Sequence, residues 1–169
     1  MIGQDGVRKR TEDVEQVWHR RFMGLCEHIS QWSEDPHFLV GCVIIGNGHV
    51  ILSTGYNGLP RGVSGEDQNR YDRESGEKFF WFEHAERNAL YNAVRTGVAV
   101  KGATLYVNRF PCADCCRAII QAGITTLLCP PIPQADGALD DSFQAGRTML
   151  EEAGLQITLM SNSAPGHAG

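Results

Sequence analysis

The sequence predicts an α/β fold, a three-layer α/β/α sandwich around a five-stranded mixed sheet. Three observations predict it. Five apolar runs have the length expected of strands. After the first two, strands alternate with segments whose apolar residues recur at helical spacing. Glycine or proline punctuates the ends of these segments. The 169 residues suit one domain with a real core. That domain is expected over 11–160, with 1–10 and 161–169 as flexible termini.

Thr11 is placed to cap a first helix running to about Trp32, with Glu12, Asp13 and Glu15 at its positive end. Val14, Val17, Trp18, Phe22, Leu25 and Ile29 form its apolar stripe, and Asp35-Pro36 ends the region. Val40 to Ile45 and His49 to Ser53 read as two strands joined by a tight hairpin turn at Gly46-Asn47-Gly48. Gly55 to about Phe82 is long and polar, and is expected to be a loop that covers a substrate. A helix starts near His84 and ends at Gly97. Ala103 to Val107 is a strand, Cys112 to Ala122 a helix stopped by Gly123, and Thr125 to Cys129 a strand broken by Pro130-Pro131. Asp140 to Ala153 is a helix closed by Gly154, and Leu155 to Met160 is the fifth strand. The sheet is expected to be antiparallel at the hairpin and parallel beyond it, with ligands at helix N-termini past the strand ends.

Composition narrows the function. The chain is 42% hydrophobic and 21% charged, which is ordinary for a globular protein. Its formal net charge of −5 makes extended nucleic acid a poorer partner than a small molecule. No stretch is long and apolar enough to span a membrane. Arg8-Lys9-Arg10 precedes an acidic amphipathic segment rather than a signal-peptide core, so a cytoplasmic location is expected. In a reducing compartment the six cysteines are expected to be free, buried or metal-bound.

The chemistry lies in His84-Ala85-Glu86 and, downstream, Pro111-Cys112-Ala113-Asp114-Cys115. Cys112 and Cys115 are three apart in the first turn of a helix, so their sulfurs point the same way. The positive end of that helix favours thiolate. His84 completes a set of three zinc donors, and a zinc with three protein ligands keeps a position for water. Glu86, adjacent but not a ligand, is the candidate acid–base group. Cys116 is four from Cys112, so spacing alone does not choose between Cys115 and Cys116 as the second sulfur. A second, structural zinc at Cys26, His28, His37, Cys42 and His49 is considered, but their irregular spacing favours separate roles.

These residues resemble the cytidine deaminase superfamily, whose H-x-E…P-C-x-x-C signature they match. Gly55 to Pro60, His84 to Leu90 and Phe110 to Ile124 resemble its deoxycytidylate (dCMP) deaminase branch in particular. The resemblance implies a cytidine deaminase-like fold, a Zn2+ cofactor and hydrolytic deamination of a cytosine nucleotide, dCMP to dUMP plus ammonia. It assigns the metal to His84, Cys112 and Cys115, leaving Cys116 as a packed thiol. It implies that Glu86 takes a proton from the activated water, passes it to N3 and later protonates the leaving amine. Asn57 matches the residue that contacts the sugar, and the backbone of Ala85 the group that holds the pyrimidine oxygen. A homo-oligomer is implied as well.

The chain departs from the branch in two places. Glu83 precedes the ligand histidine where some relatives carry a neutral residue. Pro130-Pro131-Ile132-Pro133 replaces a polar, tyrosine-bearing loop, so the phosphate contact falls to the basic residues Arg61, Arg70, Arg73, Lys78 or Arg109. Within Phe79-Phe80-Trp81-Phe82 most rings are expected to pack in a core or subunit interface, with Trp81 the candidate wall of the base pocket. Other substrates are an amino-substituted base or nucleoside, or a base within RNA. A non-catalytic zinc protein is the reading from another class, and it leaves Glu86 without a task.

Overall fold

The computed structural model describes residues 4–134, 137 and 139–160, and for residues 4–13 the backbone alone. The expected tail, 161–169, lies outside the described residues. Among the described residues, five α-helices and five strands follow one another: α1 (Gln4–Ser30), β1 (Gly41–Gly46), β2 (Val50–Tyr56), α2 (Lys78–Trp81), α3 (Ala85–Thr96), β3 (Thr104–Val107), α4 (Ala113–Gln121), β4 (Thr126–Cys129), α5 (Asp140–Glu152) and β5 (Gln156–Leu159). Helix α1 starts before Thr11, because Arg8, Lys9 and Arg10 are good helix formers that extend it backwards.

The five strands form one sheet in the order β2-β1-β3-β4-β5. Antiparallel pairing extends one strand beyond the hairpin, since β1 pairs antiparallel with both β2 and β3. Only β3–β4 and β4–β5 are parallel. The hairpin turn lies one residue later than the expected Gly46-Asn47-Gly48. A 3-10 turn spans Asn47–His49, and Gly48 and His49 both take positive φ, at 70° and 64°.

The period of two along the strands sorts the core into two layers. Cys42, Ile44, Leu105, Val107, Leu127 and Cys129 pack with Ala85 and Ala89 of α3, Cys115, Cys116 and Ile119 of α4, and Phe143 and Leu150 of α5. Val43, Ile45, Tyr106 and Leu128 face the other way, onto Phe22, Cys26 and Ile29 of α1. The sandwich is therefore asymmetric, with α1 on one face and α3, α4 and α5 on the other.

Two local features aim α3 at the site. Gly97 ends the helix at φ 70°, ψ 24°, where its N–H reaches the carbonyls of Ala93 and Val94. At the other end β2 presses against the helix backbone: a Cβ on Gly55 would stand 2.3 Å from the Ala89 nitrogen and 2.4 Å from the Ala85 oxygen. The segment expected as a bare loop carries a 3-10 turn at Gln68–Tyr71 as well as α2. A bridge between Gly58 and Glu83 ties its two ends together.

Candidate metal centre and substrate cleft

His84 is the N-cap of α3 and Cys112 the N-cap of α4. Both have extended backbones, and neither side chain caps its own helix. They turn toward each other instead. His84 Nδ1 lies 3.3 Å from Cys112 Sγ and 3.5 Å from Cys115 Sγ. The donor atoms of all three residues fall within 4.8 Å of one another. Cys116, one residue on, directs its thiol at the Pro111 carbonyl, 3.5 Å away. Gly146 of α5 backs it so closely that a Cβ there would sit 2.8 Å from the sulfur. The geometry thus separates the two cysteines that spacing left open.

The donor set fits zinc. It offers one imidazole and two sulfurs, and no fourth His, Cys, Asp or Glu joins the cluster among the described residues. Cys112 is already disposed to ionise: a hydrogen bond with Cys115 holds its thiol down at about 3, against the effect of burial and with help from His84. Burial pushes the Cys115 thiol up, so a cation must displace its proton on binding. No second cluster forms among the described residues. Cys26 and Cys42 belong to cores on opposite faces of the sheet, and His49 stacks on Trp18 at 4.2 Å.

Glu86 is 3% exposed in the first turn of α3. Burial raises its carboxyl pKa; the charge of His84 opposes that and the charge of Cys112 adds to it. A carboxyl poised upward toward neutrality is suited to taking and returning a proton.

Glu86, His84, Ala85 and Cys112 line a cleft. Asn57 and Arg109 line it too. Arg61 and Trp81 do not. Arg61 is exposed and hydrogen-bonds Asn92 of α3. The indole of Trp81 donates to Glu77 at 2.9 Å and carries the Arg70 guanidinium on its face at 4.2 Å. Helix α2 turns Trp81 away and points Lys78, Phe79 and Phe82 into the cleft instead.

The cleft is also lined by residues that sequence reading passed over. Asp35, read as a helix stop, is 4% exposed and pairs with the buried ammonium of Lys78. Its other oxygen accepts from the backbones of His37 and Phe38. Asn57 Nδ2 donates to Asp35 Oδ2 and to the Phe38 carbonyl, both at 2.8 Å, while Oδ1 accepts from Val40 N at 2.8 Å. Asn57 is thus a brace for the 35–40 turn. Phe38, held by that turn, lies under the guanidinium groups of Arg109 at 4.0 Å and Arg73 at 4.8 Å. A polar residue beside a proline marks a turn in any sequence, and nothing local shows that its carboxylate will be buried.

The family model for the cytidine and deoxycytidylate deaminase zinc-binding region matches residues 16–130. An uncharacterized deaminase in the luxG 3′ region of Aliivibrio fischeri is 35% identical over 144 residues, covering 83% of this chain and 92% of the relative. Human deoxycytidylate deaminase is 32% identical over 157 residues, covering 91% and 84%. Among solved structures, dCMP deaminase from the cyanophage S-TIM5, in complex with dCMP and dUMP, superposes with a TM-score of 0.67 at 26% identity, covering 83% and 95%. The matched span carries every donor of the metal cluster. On fold, site and likeness together, the chain belongs to the cytidine and deoxycytidylate deaminase family and is a zinc-dependent deaminase.

Proposed function

We propose that the protein hydrolyses dCMP to dUMP and ammonia, with a bound zinc held by His84, Cys112 and Cys115. The observation that carries this reading is one cleft lined by a buried carboxylate, two of the three clustered metal donors and three cations. Zinc supplies a Lewis acid that makes water acidic enough to react near neutral pH. The water oxygen would bond to C4 while Glu86 takes one water proton and delivers it to N3 of the ring. Glu86 would then take the second proton from the new C4 hydroxyl and pass it to the C4 amine, so that the C–N bond breaks, ammonia leaves and a carbonyl remains. The Ala85 N–H, in the first turn of α3 and without a helical partner, would donate to the pyrimidine oxygen.

Arg73, Lys78 and Arg109 suit a 5′-phosphate, and the human and cyanophage relatives are named for a nucleotide substrate. They also stand in for the polar loop that Pro130 to Pro133 replaces. Asn57 has spent its N–H groups on the brace, but Oδ1 retains a second lone pair for a sugar hydroxyl. A homo-oligomer is proposed as well. Phe80, 83% exposed, and Val94, 78% exposed, offer apolar surface for a second copy. The six cysteines are buried and unpaired, which supports a reducing, cytoplasmic location.

Ammonia release across dCMP, deoxycytidine, cytosine and an RNA hairpin tests the reading. The expected outcome is the highest kcat/KM on dCMP. Lys78→Met or Arg109→Met is expected to raise KM for dCMP roughly tenfold or more, the scale of one lost charge-assisted contact, with deoxycytidine turnover unchanged. Faster turnover of the hairpin or the free base overturns the assignment of substrate.

A further inference from the structure

Two helix N-termini meet at the metal donors, and a line of alternating charges ties them together. Glu83, the residue before the ligand histidine, folds its carboxylate back onto α3. Its Oε1 accepts the His84 N–H at 3.0 Å and pairs with Arg87 Nε at 2.5 Å. Arg87 lies in the first turn of α3, and its Nη1 reaches toward Asp114 Oδ2, 3.6 Å away in the first turn of α4. Asp114 is paired again by Arg117 of its own helix. The sequence of charges is therefore Glu83, Arg87, Asp114, Arg117, and the Arg87–Asp114 pair is the link that passes between helices. The side chains of Glu83 and Arg87 are 21% and 22% exposed, so solvent screens them less than an open surface pair.

The arrangement answers a physical problem. Each helix N-terminus carries partial positive charge, and here two of them point at one spot while neither His84 nor Cys112 caps its own helix. The two N-cap side chains meet at one contact, His84 Nδ1 to Cys112 Sγ at 3.3 Å. Arg87 adds a second tie, pairing with a carboxylate that grips the His84 backbone on one side and, at 3.6 Å, with the 56% exposed carboxylate of Asp114 on the cysteine helix on the other. The planar guanidinium can hold both at once, which an ammonium does poorly.

We propose that Arg87, acting through Glu83 and Asp114, is a positioning residue that sets the spacing between His84 and the Cys112–Cys115 pair and so sets how firmly zinc is retained. The inference rests on the zinc centre described above. Its test is the rate at which zinc-loaded protein gives up the metal to excess chelator. Partners of metal ligands typically change metal affinity by roughly 10–100-fold when removed. Arg87→Met is therefore expected to release zinc roughly 10–100 times faster than wild type, with Arg87→Lys in between. Asp114→Asn is expected to accelerate release as well, and Arg87→Met with Asp114→Asn to be no faster than Arg87→Met alone, since the two act as a unit. Arg147→Met, which removes an i,i+4 pair on α5, is the control and is expected to match wild type. In cobalt-loaded protein the thiolate-to-metal absorption is expected to shift in Arg87→Met and not in the control. Zinc release from Arg87→Met at the rate of the control overturns the proposal. Where Arg87→Met does not fold, Asp114→Asn, which keeps the side-chain volume, carries the test, and wild-type release from it overturns the proposal equally. Failure of the zinc centre itself reads differently: wild-type protein then carries no stoichiometric zinc, or Cys112→Ala holds it as tightly.

Discussion

At the residue scale the proposed reaction turns on one carboxylate in an unusual setting. Glu86 is almost wholly enclosed, and burial favours its neutral form. Two consequences can be measured on one variant. Glu86→Gln is expected to keep zinc, since Glu86 is not a donor, and to lose roughly 10²–10⁴-fold in kcat on dCMP, the usual scale of a lost acid–base group. The same variant is informative without metal. A carboxyl whose folded pKa lies above its unfolded value of 4.5 penalises the folded state once it ionises. That penalty is absent below pH 4.5, grows as pH rises toward the folded value, and is constant above it. Zinc-free Glu86→Gln is therefore expected to melt above zinc-free wild type near pH 8, with the gap closing as pH falls to 4.5. Equal melting temperatures at pH 8 would mean that burial does not raise this carboxyl.

At the element scale, the site depends on contacts that carry no chemistry. Gly55 lets β2 lie against the backbone of α3, the helix that begins at His84 and holds Glu86. Gly55→Ala has no flexible neighbour to displace, because the atoms it meets are backbone. It is expected to cost about 1–3 kcal/mol in urea unfolding, as overpacking does, and to lower zinc content by shifting α3. The turn at 35–40 behaves differently. Asp35 and Lys78 are both buried, and removing either leaves the other. The two losses are unequal, however. Without Lys78, Asp35 still accepts from Asn57, His37 and Phe38. Without Asp35, the Lys78 ammonium loses its buried counterion, and burial already disfavours that charge. Asp35→Ala is thus expected to destabilise by about 3–5 kcal/mol and Lys78→Met by distinctly less. The reverse order in urea unfolding contradicts this account of the brace.

On the scale of the whole molecule, the metal joins parts that are far apart in the chain. His84 and the two cysteines come from different helices, both packed on the same face of the sheet. Zinc that binds the folded chain and not the unfolded one stabilises it by mass action. At free zinc a hundredfold above its dissociation constant the gain is about 2.7 kcal/mol, which in a chain of this size raises Tm by roughly 5–10 °C. Stripping the metal is expected to lower Tm by that amount and re-addition to restore it. No change in Tm would place the metal somewhere that does not bridge α3 and α4. No helix among the described residues is long and apolar enough to cross a membrane. The exposed apolar side chains therefore have to be explained by something other than a helical span.

Much of this was legible from residue order alone. The periods of two and 3.6 set the strands and the main helices, and glycines such as Gly97 set where they stop, because these are local properties of the backbone. The zinc donors were legible for the same reason, since two short motifs at helix starts carry them. Three things were decided only when the chain closed on itself. Cys115 rather than Cys116 meets His84, because α5 packs Gly146 behind the other thiol. The cleft takes Lys78 and leaves out Trp81, because α2 turns the aromatic run to one side. Asp35 and Asn57 form a buried brace with Lys78, although 22 residues separate the first two and each reads locally as a turn. Local sequence determines backbone conformation and the spacing within a motif. Which side chains share a dry interior depends on contacts between distant segments, and only the folded molecule brings those together.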